Sequence, residues 1–372
     1  RFNPNTKQCP MFRTSYDAKL TGKIYKHTSI MINENTGENP WGIKFGTICH
    51  MSGDSGLFKT YKQLTSAGAT YSNGFFYTSK KVYVPLYEGK HIWLYNHHYG
   101  EFPIEGKRPN SIPPTSITDL QDTNAPLYPW YWVDKEEVEN KLTRRDKEGK
   151  ILWQWTHSYY IVFRDVTNAT NERTCVATLI PSGYAAGDKA PLVFTSRRLI
   201  PSTCFAAMIS SLTFDYVARQ KIGNSSIAFF VMKQLPVLTP DQIPSAMQWQ
   251  IVKRVAELCY FNHDMDGWAS ELWDEMNEEQ RAELPQLGAQ QPWIYDPERR
   301  AILQAELDAI FAHLYGLNTE DLRYILDPED VCGKGCINET FRVLKDNEIR
   351  QYGEYRTKRL VLEAWNKFGF NN

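Results

Sequence analysis

One stretch constrains this chain more than any other: LTFDYVARQKIGNSSIAFFVMKQLPVLTP, from Leu212 to Pro240. Leu212, Tyr216 and Val217 share one helical face, with Phe214 beside them. Arg219, Gln220, Lys221, Gly223, Asn224, Ser225 and Ser226 then form a polar turn. Ile227 to Leu238 reads as a buried strand, rich in β-branched and aromatic residues and stopped by Pro236 and Pro240. A buried element on each side would hold the polar turn rigidly at one edge of a core. Arg, Gln, Lys and Asn are the side chains that reach phosphates and base edges. The same composition also suits an ordinary solvated turn.

Charge is unevenly distributed. Residues 1–240 carry 28 Lys and Arg against 19 Asp and Glu, whereas residues 241–372 carry 14 against 24. A basic part followed by an acidic part suggests a polyanion-binding surface and a separate packing or interaction module. A length of 372 residues suits two domains, or one large domain with appendages. The seven cysteines (9, 49, 175, 204, 259, 332 and 336) are odd in number and scattered, so they do not read as a disulfide framework. No apolar run is long enough to cross a bilayer and no signal peptide is recognisable, so no membrane partner is expected and the compartment reads as cytoplasmic. The chain starts on Arg1, which reads as a fragment of a longer protein.

In chain order, Thr14 or Ser15 caps a short helix carrying Tyr16, Leu20 and Ile24. Residues 33–80 mix Gly, Ser, Thr and Asn with aromatics, the pattern of short strands and loops. Val82–Leu86 and His91–Tyr95 read as strands around a Glu88-Gly89-Lys90 turn. Glu105–Pro129 reads as an exposed connection. Residues 129–240 combine a charged helix over 134–143, strand signals within Trp153–Phe163, Thr174–Ile180 and Leu192–Phe194, and a helix over Ser202–Ala218. Beyond Pro240 the pattern is helical. Its clearest helix covers 297–315, with Asp296 as N-cap, Pro297 first and Gly316 as stop; Leu303, Leu307, Ile310, Phe311 and Leu314 form its buried stripe. The expected fold class is α+β: a strand- and loop-rich part over 1–125, an α+β core over 126–240 and an acidic helical part over 241–372.

Several segments resemble large single-chain N6-adenine DNA methyltransferases of restriction–modification and phage-defence systems, including type IIG and DISARM-like ones. They are NPNTKQCPMFRTSYDAKLTGKIY (3–25), ENPWGIKF (38–45), PWYWV (129–133), FDYVARQKIG (214–223), FFVMKQLPVL (229–238), DPERRAILQAELDAIFAHLYGL (296–317), YILDPEDV (324–331), and ETFRVLK with YGEYRTKRLVLEAW (339–365). The resemblance covers most of the chain. It implies a target-recognition and C-terminal region that binds double-stranded DNA. It also implies partners: the methyltransferase domain of the same parent chain and other defence-system subunits. S-adenosylmethionine would bind in that separate methyltransferase domain, and no cofactor is expected in this fragment.

The family's catalytic residues match no position. Methylating adenine N6 calls for an Asn/Asp-Pro-Pro-Tyr/Phe loop to hold the flipped base; Asn3-Pro4-Asn5-Thr6 and Ile112-Pro113-Pro114-Thr115 do not fit it. No catalytic and no metal residues are therefore expected. The candidate DNA contacts are Arg164, Arg173, Ser182, Tyr184, Lys189, Arg197, Arg198, Arg219, Gln220, Lys221 and Asn224. Arg and Lys would anchor phosphates or read guanine; Gln and Asn would read adenine. Charge reversal at Arg219 and Lys221 is expected to weaken binding.

Two alternatives come from other classes. A metal-dependent endonuclease would use Asp134 with Glu148-Gly149-Lys150, because carboxylates hold Mg²⁺ and a lysine orients water; the spacing also suits a common turn. A protein-interaction scaffold would use the aromatic surface. Other motifs are weaker. Cys332-Gly333-Lys334-Gly335-Cys336 supplies two thiols where structural zinc needs four ligands. Asn262, Asp264, Asp266 and Gly267 imitate a calcium loop, but its twelfth position is Trp273 where a Glu is needed. His97-His98 reads as aromatic packing.

Overall fold

The computed structural model describes residues 2–7, 12–223, 225–336 and 340–370. The fold is α+β, with open sheets and a helical C-terminal part.

Its layering follows from the strand Tyr159–Phe163, whose five residues are all buried. Side chains on a strand alternate between faces. Tyr159, Ile161 and Phe163 enter one apolar core, and Tyr160 and Val162 enter another. The neighbouring strands divide the same way: Ala177, Leu179 and Val193 face the first core, Ile180, Leu192 and Phe194 the second. This sheet is therefore covered on both faces, which explains its continuous apolar runs. Its antiparallel order is Ala177–Pro181, Tyr159–Phe163, Leu192–Phe194 and Lys44–Gly46.

The first face carries helices. Leu199–Ser210 is apolar all round and lies between the strand Ala177–Pro181 and the helix Ser245–Cys259. Trp41 seals this core, its indole Nε1 donating to Leu238 O at 2.7 Å. The second face meets a five-stranded sheet built on Val82–Tyr87. That strand pairs antiparallel with Phe75–Tyr77 and Trp132–Asp134, and parallel with Ala185–Ala186. A separate hairpin, Thr143–Arg145 with Ile151–Gln154, rests against Phe194 through Trp153.

Packing is continuous across Pro240: the first core runs from Leu20 to Trp365. Leu212 N donates to Asp308 Oδ1 at 2.7 Å, and Arg300 Nη2 donates to Tyr95 O at 2.9 Å. The helix Pro297–Leu314 starts as its sequence signals require, with Asp296 accepting from Glu298 N and Arg299 N. Gly316 follows it at φ +73°, a conformation that favours glycine. Among the described residues no helix is long and apolar enough to cross a membrane.

Three local expectations are corrected. The run 227–238 is not one strand. It contains a helical turn, Phe229–Met232, and a two-residue strand, Pro236–Val237, that pairs with Ser29–Ile30. Phe230 is half exposed, so apolar composition alone could not distinguish the two conformations. His91–Tyr95 is not a strand either. A 3₁₀ turn, Gly89–His91, leads to a tight bend at Tyr95, with φ +55°. The expected Ser202–Ala218 helix is two helices, Leu199–Ser210 and Leu212–Arg219. Ser211 is extended and its hydroxyl accepts from Phe214 N, starting the second helix afresh.

Candidate nucleic-acid interface

The polar turn after Leu212–Arg219 is not an open basic loop. Arg219 is buried: its Nε lies 3.2 Å from Asp215 Oδ1, and its other nitrogens donate to the carbonyls of Ala169, Glu172 and Thr340. Its guanidinium also stacks 4.4 Å from the Phe341 ring. Arg173 closes on the same carboxylate, Nε to Oδ2 at 2.8 Å, and donates to Ser210 O. Asp215 further accepts from the backbone N–H groups of Thr174 and Cys175. Both arginines thus converge on one buried carboxylate, and neither is free to reach a phosphate.

Lys221 is similarly committed. Its Nζ donates to Phe2 O and Gln234 O, both at 2.7 Å, over the Tyr25 ring. Burial pulls its pKa down to about 7. Gln220 accepts from Thr21 Oγ1 at 2.6 Å. Asn224 lies outside the described residues. Arg164 braces the loop before Tyr99: it donates to Gly89 O and Ile92 O and stacks on Trp93 and Tyr99. Tyr184 is buried against Phe75 and Tyr87, and Ser182 ties its backbone N–H to Ser158 O. These placements overturn the expectation of a single polar recognition edge: buried carboxylates and carbonyls claim the cations that composition alone assigned to solvent.

Lys189, Arg197 and Arg198 do reach the surface. Lys189 pairs with Asp165 at 2.9 Å and Asp188 at 3.7 Å. Arg197 donates to Pro40 O. Arg198, 76% exposed, lies 3.5 Å from Glu275, whose carboxylate also accepts from Leu199 N and Ile200 N.

A second set of cations, missed by sequence reasoning, gathers at the edge of the central sheet. Lys44 opens the edge strand Lys44–Gly46, opposite Phe194 in register. Its Nζ lies 5.6 Å from the centroid of the Trp153 ring on the hairpin. Lys44, Lys141, Arg144, Trp153 and Phe194 are among the residues lining a cavity of about 250 Å³ that includes no carboxylate. Asp54 holds Lys141 at 2.9 Å. The hairpin beyond is exposed and carries Arg144, Arg145, Lys147 and Lys150 around a turn at Gly149, φ +86°. Arg145 donates to Gly149 O. Lys44, Arg144, Lys147 and Lys150 form no ion pair with a described carboxylate. Arg197 lies beside this edge, because Ser196 N donates to Trp41 O while Arg197 donates to Pro40 O. The available signal was the cation-rich turn RRDKEGK, which also fits a carboxylate motif.

That motif is not assembled. Asp134 caps the helix Lys135–Lys141 and pairs with Lys81 at 2.5 Å, while Glu148 is exposed on the hairpin tip. Among the described residues, His97, His98 and Asp264 form the one group of three or more His, Cys, Asp or Glu side chains close enough to share a metal ion. His97 Nε2 lies 2.9 Å from Asp264 Oδ1 and His98 Nε2 2.8 Å from Oδ2, with Phe261 against both rings. Burial favours a protonated carboxyl at Asp264, but the two imidazoles outweigh it and hold its pKa well below the usual range. Cys332 and Cys336 are free thiols.

Compared with known proteins, the chain matches no family model and no curated sequence.

Proposed function

We propose that this chain is a DNA-specificity part of an adenine-N6 methyltransferase from a restriction–modification or phage-defence system, acting in the cytoplasm. It binds duplex DNA and directs methyl transfer by a catalytic domain of the parent chain that holds S-adenosylmethionine. Its contact surface is the exposed hairpin Thr143–Arg145/Ile151–Gln154 with Lys44 and Arg197. One observation carries this reading: an exposed two-stranded ribbon whose cations pair with no described carboxylate, beside a cavity lined in part by Trp153 and by no carboxylate. Phosphates attract unpaired cations, and a two-stranded ribbon fits the major groove. The methyltransferase assignment itself rests on the sequence resemblance.

The test is fluorescence anisotropy with a labelled duplex across a salt series. Binding that weakens steeply with salt supports the reading, because each neutralised phosphate releases counterions. No binding at low salt contradicts it.

A further inference from the structure

We propose that His97, His98 and Asp264 form a binding site for one zinc-class divalent cation, with water completing its coordination. Adjacent histidines rarely serve one ion from a regular element, because neighbouring side chains diverge on helix and strand alike. Here the tight bend at Tyr95 redirects the chain, and the two rings stand at 75° with centroids 4.7 Å apart. Both Nε2 atoms thereby converge on one carboxylate.

The spacing suits an ion. Zinc bound tetrahedrally at about 2.0 Å sets its ligands about 3.3 Å apart. The two imidazole-to-carboxylate separations are 2.9 and 2.8 Å, so each of these pairs would open by about half an ångström, and all the candidate ligand atoms lie within 4.8 Å of one another. Two imidazoles and one carboxylate with a place left for water is a donor set that zinc and its neighbours accept.

Charge points the same way. Both Asp264 oxygens face imidazoles, and no described Lys or Arg pairs with it. The nearby Arg300 instead donates to Leu258 O and Tyr95 O. The surroundings also hold polar atoms that no described group satisfies: His97 Nδ1, His91 Nε2 and Tyr87 OH are buried without a partner. Tyr87 and His91 pack edge to face, 5.9 Å apart. Water in a hydrated metal centre would supply such partners. The ion would tie the loop after Val82–Tyr87 to the turn before the helix Asp266–Glu275, joining the strand-rich part to the helical part. This site is independent of the DNA-binding reading.

The test uses the whole chain carrying Cys332→Ser and Cys336→Ser, so that the free thiols cannot take up zinc. Chelator-treated protein is titrated with Zn²⁺ against a chromophoric competitor, and its melting temperature is followed. One equivalent should bind, raising the melting temperature by roughly 3–5 °C with zinc about 100- to 1,000-fold above its Kd. Co²⁺ in its place should show the absorption of a tetrahedral nitrogen/oxygen site. Asp264→Asn should abolish stoichiometric uptake. Less than one equivalent bound by the parent protein, or undiminished uptake by a folded Asp264→Asn variant, would overturn the proposal.

Discussion

Arg173 Nε lies 2.8 Å from Asp215 Oδ2, on a carboxylate fully excluded from solvent. Arg219 reaches the other oxygen from one helical turn away. The centre joins two buried cations through one carboxylate, so removing its middle leaves both without their shared anion. Asp215→Ala should cost about 3–5 kcal/mol. Urea unfolding followed by circular dichroism measures this; a loss below about 1 kcal/mol would show that the arginines find other partners. Arg219→Glu should likewise lower stability, so any loss of DNA binding in that variant reports on the fold.

Lys221 gives a pH dependence of definite sign. Its folded pKa, about 7, lies below the ordinary value of 10.5. Between those values the unfolded chain keeps a proton that the folded chain has released. Stability contributed by this residue therefore rises as pH climbs from about 7 towards 10.5, and the burial penalty is complete below pH 7. The two carbonyls that accept from Nζ offset part of it. Relative to Lys221→Met, the wild-type protein should gain on the order of a few kcal/mol over that interval. A stability difference that stays flat, or shrinks as pH rises, would refute the assignment.

The helix Pro297–Leu314 depends on its first turn. Asp296 accepts from Glu298 N at 2.9 Å and Arg299 N at 3.3 Å. Asp296→Ala should cost about 1 kcal/mol, whereas Asp296→Asn should cost less because asparagine caps comparably well. Paired denaturation curves test the ranking, and equal losses would mean that the side-chain cap does not hold the first turn.

What could be read from the sequence was local. Asp296, Pro297 and Gly316 delimit a helix through backbone chemistry that neighbouring residues supply, and the Thr14 cap works the same way. Leu192–Phe194 emerged because β-branched and aromatic residues suit a covered strand. The candidate site was much less legible. Whether Arg219 meets solvent or Asp215 depends on Thr174, Glu172 and Thr340, which are brought together by folding. Composition counts cations but does not say which are already paired. The His97, His98 and Asp264 cluster was hidden for the same reason: Asp264 lies more than 160 residues from the two histidines. Lys44 and Arg144 share a cavity only because the edge strand and the hairpin meet at Phe194 and Trp153.

The charge of the hairpin is tested most directly by the salt dependence of duplex binding, compared between the wild-type protein and Arg144→Glu/Lys147→Glu. Both positions are exposed, so the variant should keep its melting temperature. If these side chains meet phosphates, the variant should bind more weakly to every duplex, and the slope of log K against log salt should become shallower by about 1 for each phosphate no longer neutralised. Unchanged affinity and an unchanged slope in a folded variant would contradict the account.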